Sequence, residues 1–273
     1  MAALAQSFDL TGRTAIVTGG AGLLGRQFCL ALAEAGAAVV VADVDEKELA
    51  AAVAAIEAQG GQALPQLVNV ADPDAAQEMV AAAVAAYGSV DILVNSAALD
   101  PKFDHTQEGA HASAFEEYPL DKWQQSLSVN LTGAFLATRA AVRQMLKQGS
   151  GVIVNICSTY GLGGPDQRIY QREGKAPEYK PVDYSVTKAG ILGFTRYLAA
   201  YYGDKNIRVN ALSPGGVFND HDDEFAQAYS ARTILGRMAN LDEMNGAMLF
   251  LCSDASSYMT GANLVVDGGW TAW

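Results

Sequence analysis

Cysteine is scarce in this chain, which has only Cys29, Cys157 and Cys252. They are odd in number, widely spaced and form no CxxC pair, so they indicate neither a disulfide framework nor a zinc site. The expected state is reduced and buried, in a cytoplasmic protein. Positive charge is also short. Against 30 Asp and Glu stand 18 Lys and Arg, for a net charge of −12 and an isoelectric point near 4.6. That balance argues against nucleic acid or an anionic membrane as a partner. No apolar run approaches the ~18 residues that a membrane span needs. Residues 1–12 show no basic stretch ahead of an apolar run, so no signal peptide is expected. Internal repeats and low-complexity linkers are lacking too. What is present is a chain of 273 residues, half of them hydrophobic. That suffices for one large α/β domain over residues 1–273 with a sizeable core.

Thr14–Thr18 is a short apolar run that reads as a buried strand. It enters a glycine-rich turn, Gly19 to Gly25. Beyond it Leu24, Phe28 and Leu32 are spaced by four along a helix face. In a strand–turn–helix unit, glycines let the backbone approach a pyrophosphate, and the helix N-terminus offers it free N–H groups. A second strand, Ala38–Ala42, ends at Asp43, 18 residues past Gly25 (43 − 25). That is close to the ~20 expected of a ribose-binding carboxylate. The spacing turns a common glycine motif into a dinucleotide site. Asp43 can accept from both ribose hydroxyls and repels a 2′-phosphate. No Lys or Arg lies within residues 19–25, so NAD is expected rather than NADP.

The alternation continues. Helix 46–59 leads to strand 63–68, which ends at Asn69. Asp72 and Pro73 read as an N-cap and first helical position, opening a helix that runs to Tyr87. Strand 91–95 follows, then a long helix 120–148, strand 151–157 and helix 183–202. Strand 206–212, a polar stretch 218–233, helix 241–252 and strand 263–266 complete the chain. Such alternation specifies a parallel, doubly wound sheet, with ligands at the carboxyl ends of its strands. Gly19, Asp43, Asn69 and Asn95 would share that edge. The connection 99–119 is long, irregular and polar. Its Asp104, His105, Glu108 and His111 lack the spacing of a helical metal site, so no metal is expected. Asn130 falls inside a helix, where Asn is less favourable than Ala. It is either exposed there or has a task.

Tyr184 and Lys188 are four apart, one above the other on a helix face. A neighbouring ammonium favours phenolate and lowers a phenol pKa of ~10. A tyrosine so tuned exchanges a proton with an alcohol or ketone near neutral pH. Strand 151–157 delivers Ser158 and Thr159 to the same edge, where Ser158 could bond the same substrate oxygen.

From Thr14 to Gly269 the chain resembles the short-chain dehydrogenase/reductase family. The resemblance rests on Thr18-Gly19 through Gly25, Asp43, Asn95-Ser-Ala-Ala98, Asn130-Leu-Thr-Gly133, Asn155-Ile-Cys-Ser158, Tyr184 with Lys188, Ser213-Pro-Gly215 and Val266-Asp-Gly-Gly269. It implies a Rossmann-like fold in three layers and hydride transfer between nicotinamide and a carbonyl or alcohol carbon. Tyr184 would be the general acid/base. Lys188 would lower its pKa and hold the nicotinamide ribose, Ser158 would orient the substrate oxygen, and Asn130 would hold a water linking Lys188 to solvent. Cofactor contacts would come from Gly19, Gly22, Leu23, Leu24, Gly25 and Asp43, from Asn69, Val70, Asn95 and Ala97, and from Pro214, Gly215, Val217 and Asn219 beside Tyr184 and Lys188. Thr159 and Tyr160 would face the substrate.

The departures are informative. The family's short branch usually shows TGxxxGxG. Here Leu23 takes the middle glycine's place and Gly22 carries it one residue earlier. Asn69 stands where an Asp is common, Ala98 replaces a Gly, and Asn219 replaces a Thr. Ser158 and Tyr184 are 26 apart (184 − 158), about twice the family's habit. The extra segment, about 163–182, is locally basic and carries Arg168, Arg172, Lys175 and Lys180. It reads as a solvated excursion or as a lid, with Arg168 and Arg172 recognising an anionic or polyhydroxylated substrate. Residues 218–233 would form a further substrate lid, with His221 solvated. The tail from Trp270 to Trp273 suggests burial at a subunit contact, and a homotetramer is expected. The expected function is an NAD-dependent dehydrogenase of a secondary alcohol, with a sugar, polyol or sugar acid as substrate. The alternatives are an NADPH-driven reductase of oxoacyl or other ketones, and a non-catalytic dinucleotide sensor.

Overall fold

The computed structural model describes residues 2–100, 114–172, 174 and 177–273. After a short helix α1 (Ala2–Gln6), the chain runs β1 (Thr14–Thr18), α2 (Leu23–Glu34), β2 (Ala38–Asp43), α3 (Glu46–Glu57), β3 (Gln62–Leu67), α4 (Pro73–Tyr87) and β4 (Ile92–Asn95). Helices α5 (Leu120–Leu127) and α6 (Ala134–Gln148) follow, then β5 (Gly151–Ile156), α7 (Val182–Tyr202), β6 (Ile207–Pro214), α8 (Asp223–Ser230), α9 (Asn245–Cys252) and β7 (Asn263–Val266). The seven strands form one sheet in the order β3-β2-β1-β4-β5-β6-β7, and every pairing is parallel. This is the expected doubly wound, three-layer α/β sheet.

Strand alternation builds the layers. Val17, Val41, Ile92 and Val154 pack on one face with Phe28, Leu32 and Met248 of α2 and α9. Ile16, Val40, Leu93 and Ile153 pack on the other with Met79, Met145 and Leu198 of α4, α6 and α7. Both faces are covered, which is why the strands read as continuous apolar runs. Asp45 and Asp72 cap α3 and α4 through their side chains. The sheet reverses order between β1 and β4, and a crevice opens at such a switch point.

Three elements differ from the sequence reading. Helix 120–148 is broken by a π-helical segment, Ser128–Gly133, centred on Asn130. There the helix passes so close to Val70 that a Cβ at Gly133 would meet Val70 Cγ2 at 2.6 Å. The stretch 218–233 contains a true helix, α8, because Asp222 caps Phe225 N at 2.8 Å and Tyr229 is buried. Finally, α9 starts at Asn245, with a turn in place of its first four residues.

Candidate active site

The glycine turn is shaped by close approach. Gly19 has φ +65°, and a Cβ there would lie 2.7 Å from Ala97 Cα. A Cβ on Gly25 would clash with the Gly19 carbonyl, so α2 abuts the turn as only glycine permits. Gly22 is the N-cap of α2 and supplies no side-chain bond, which leaves the first-turn N–H groups facing the crevice. Asp43, at the end of β2, accepts from Ala21 N at 3.0 Å and from Val44 N at 2.8 Å. It also accepts from Asp45 N at 3.2 Å; it thereby pins the turn, and its Oδ2 keeps a lone pair for a ribose hydroxyl. Arg26, beside the turn, is tied to Glu48 at 2.6 Å. Gly19, Gly22, Leu23, Leu24, Gly25, Asp43, Asn69, Val70, Ala97, Pro214, Gly215, Val217 and Asn219 all line one cleft of about 570 Å³, a size usual for a cofactor-sized ligand. A glycine cradle, an uncapped helix end and a carboxylate beyond them fit a dinucleotide.

Asn95 does not line this cleft. It is buried behind it, donating to Thr138 Oγ1 at 2.9 Å and to Asn155 Oδ1 at 2.8 Å. Asn155 in turn donates to Thr195 at 2.9 Å. The side chain braces β4, β5, α6 and α7, and its expected cofactor contact is replaced by that role.

At the centre of the cleft, Ser158 and Tyr184 line the same wall, and the serine hydroxyl acts on the phenol in favour of its ionised form. Ser158 Oγ also accepts from Tyr160 N at 3.2 Å, fixing the turn after β5. Lys188 Nζ donates to the Ile156 carbonyl at 3.0 Å and lies 5.6 Å from the Tyr184 ring centroid. Burial lowers the Lys188 pKa. Tyr184 departs from the sequence expectation. Burial raises its phenol above the ordinary value, with the Asp100 charge adding and the Ser158 hydroxyl opposing. The protein alone therefore holds a neutral phenol, because desolvation comes first among the causes and outweighs the serine. Asn130 sits off the cleft wall. Its Oδ1 accepts from Leu99 N at 2.7 Å, and its Nδ2 donates to Leu99 O at 3.1 Å and to Thr187 Oγ1 at 3.1 Å. The amide ties the chain after β4 to α7, which explains the π turn that aims it inward.

The far wall differs from the sequence reading. Thr159 and Tyr160 do line the cleft. Arg168 and Arg172 do not. Arg168 points outward, its side chain 82% exposed, and bonds Asp166 at 2.8 Å. Arg172 is spent on the Ile169 and Gln171 carbonyls and on Asp222 at 3.0 Å. The segment contributes Tyr170 and Lys180 instead. Tyr170 meets Tyr160 hydroxyl to hydroxyl at 2.8 Å. Lys180 forms an ion pair with Asp100, also on the wall. Residues 218–233 bring His221, Phe225 and Tyr229 to the same wall. His221 is thus not merely solvated. It stacks on Phe225 at 5.0 Å, and its Nδ1 accepts from Asn219 N. Trp270 is buried within the chain against Tyr229, with centroids 4.3 Å apart. That corrects its assignment to a subunit contact, while Trp273 stays exposed. Residues 104, 105, 108 and 111 of the polar connection, and Lys175, lie outside the described residues. Among the described residues, no helix is long and apolar enough to cross a membrane.

Residues 20–271 match the family described as enoyl-(acyl carrier protein) reductase. A short chain dehydrogenase/reductase of Aspergillus oryzae is 37% identical, over 97% of each chain. The D-threitol dehydrogenase of Mycolicibacterium smegmatis is 33% identical, over 97% of this chain and 95% of that one. A crystal structure of a gluconate 5-dehydrogenase from Burkholderia cenocepacia, in complex with NADP and tartrate, matches with a TM-score of 0.86 and 30% identity over 99% of both chains. With a whole-length sheet, a glycine cradle and these relatives, the chain belongs to the short-chain dehydrogenase/reductase family.

Proposed function

We propose that this oxidoreductase is an NAD-dependent dehydrogenase that interconverts a secondary alcohol and its ketone, on a sugar, polyol or sugar acid. The observation that carries the reading is the meeting of Ser158, Tyr184 and Lys188 in the cleft that the glycine turn and Asp43 also line. When bound, the nicotinamide takes or returns the hydride at the substrate carbon. The chain supplies the rest. Tyr184 moves the proton of the substrate hydroxyl, and Ser158 orients that oxygen. Lys188, held by Ile156 O, carries the positive charge toward the cofactor ribose. Asn130 braces the wall through Leu99. Asp43 favours NAD because a 2′-phosphate would meet a carboxylate, and Arg26 is already matched by Glu48. The D-threitol and gluconate dehydrogenases among the relatives support a polyhydroxylated substrate. A second copy of the chain is the partner we assign to the exposed face of α7, where Val186, Tyr197 and Tyr201 lie open. Light scattering reads that assembly, and a monomer at micromolar concentration would refute it.

The test is reduced-nicotinamide absorbance with purified protein and a panel of polyols, sugars, sugar acids and simple alcohols. NADH is expected to bind at least about tenfold tighter than NADPH, and tighter NADPH binding would overturn the cofactor choice. Turnover that survives Tyr184→Phe intact would overturn the catalytic assignment.

A further inference from the structure

Among the described residues of the segment 163–182, the cation that reaches the cleft is Lys180. Lys180 is clamped at its backbone, where its N–H donates to Gln167 Oε1 at 2.8 Å and its carbonyl accepts from Gln167 Nε2 at 3.2 Å. Its side chain is 9% exposed. Its Nζ lies 4.3 Å from the Tyr184 ring centroid and forms an ion pair with Asp100, which is half exposed. The pair, Tyr160, Tyr170 and Ser158 all line the cleft. The segment's described arginines are paired elsewhere. The wall beside Tyr184 therefore presents an ammonium and a carboxylate together, with no surplus charge from the pair.

We infer that the Lys180–Asp100 pair is the specificity-determining element of this dehydrogenase, and that it selects a neutral polyol with adjacent hydroxyls over a sugar acid or sugar phosphate. This rests on the dehydrogenase reading above. A hydroxyl both donates and accepts, whereas a carboxylate or phosphate only accepts. Of two neighbouring hydroxyls, one donates to Asp100 and the other accepts from Lys180, while the reacting hydroxyl stays at Ser158 and Tyr184. Both bonds are charge-assisted. An anionic group gains Lys180 but meets Asp100 at short range, where like charges repel strongly in a partly desolvated cleft. The two partners are 80 residues apart in the sequence, and the fold brings them together.

The experiment is steady-state kinetics of NAD reduction by the full chain. It compares erythritol, threitol and xylitol with the matching aldonates and with 2-butanol. In the wild-type protein a polyol is expected to exceed its aldonate in kcat/KM by at least about tenfold. Lys180→Met should lower kcat/KM for the polyol by about ten- to a hundredfold, chiefly through KM, and collapse its advantage over 2-butanol. Lys180→Arg should restore most of it. Asp100→Asn leaves the ammonium unmatched and should move the polyol-to-aldonate ratio toward the acid by about tenfold. An aldonate preferred by the wild-type protein, or ratios unmoved in both variants, would overturn the inference and leave the dehydrogenase standing. NAD reduction with none of these alcohols would overturn both. The wild-type comparison needs no variant to fold, and NADH titration of each variant reports that its cleft is formed.

Discussion

At the scale of single residues, Gly25 and Gly22 separate two uses of glycine. A Cβ on Gly25 would fall under 3.0 Å from the Gly19 carbonyl and from Gly19 C, and backbone cannot swing aside. A Cβ on Gly22 would meet the same carbonyl at 3.2 Å, which a small shift relieves. Gly25→Ala is expected to weaken NADH binding by at least about tenfold, and Gly22→Ala by no more than a few-fold. Fluorescence titration reads both, and equal losses would show that the turn tolerates no crowding anywhere. Tyr184 poses a different question. Its phenol is pushed up by burial, so it holds its proton at pH 7. It is ready as an acid for ketone reduction, but alcohol oxidation needs it deprotonated. The oxidation rate should therefore climb as pH rises toward 10, and Tyr184→Phe should abolish the climb with at least about a hundredfold of kcat. A phenylalanine variant that is slower but keeps the wild-type pH profile would place the titrating group elsewhere.

At the scale of elements, Asp166 ties the segment between Ser158 and Tyr184 both to itself and to Arg232 beyond it. Asp166 accepts from Arg168 N at 3.1 Å and pairs with the Arg168 and Arg232 side chains at 2.8 and 2.7 Å. Its hydrogen bonds from Arg168 come first among the causes that hold the carboxyl down at about 2. The folded value lies below the unfolded ~3.9, so the tether is intact above that pH and is lost as pH falls toward 2. Asp166→Asn should loosen the segment at neutral pH, speed proteolytic cleavage within residues 163–182 and raise the polyol KM several-fold, because Lys180 is clamped to the same turn through Gln167. Unchanged cleavage and KM would show that Asp222, through Arg172, suffices as anchor. This segment also shows where sequence was readable. Strands such as Val39–Val41 are fully buried, and continuous apolar runs announce them. The glycine turn, Asp43, Ser158 and Tyr184 were legible because strand ends and i, i+4 spacing fix which edge or face they share. Arg168 and Arg172 were misplaced because composition shows charge but not direction. The 3₁₀ turn from Gln167 to Tyr170 buries Ile169 and Tyr170 and turns Arg168 out. Asn130 stands out by its poor helix propensity, yet the π turn that aims it depends on contacts with Leu99 and Thr187 that no local pattern encodes.

At the scale of the whole molecule, the titration of buried groups sets a limit on the alkaline side. Burial raises Tyr160, Tyr170 and Tyr184 above the ordinary phenol value, and raises Cys29 and Cys252 as well. In the unfolded chain these thiols lose their protons near pH ~8.5 and these phenols near ~10, while the folded protein keeps both protonated. Above each unfolded value the unfolded state binds fewer protons, so stability must fall as pH rises. The chain already carries −12 at pH 7, and each lost proton adds to its self-repulsion. Thermal unfolding followed by circular dichroism should give a Tm nearly flat from pH 7 to about 8.5 and falling progressively steeper beyond about 10. Tyr170→Phe removes one raised phenol. It also removes the bond to Tyr160, so the variant should start lower at pH 7 and then lose less between pH 9 and 11. The slope isolates the titration, since the lost hydrogen bond shifts the curve at every pH alike. Parallel curves for the two proteins would mean that Tyr170 ionises no later in the folded chain than in the unfolded one, and that the aromatic wall of the cleft is wetter than its packing requires.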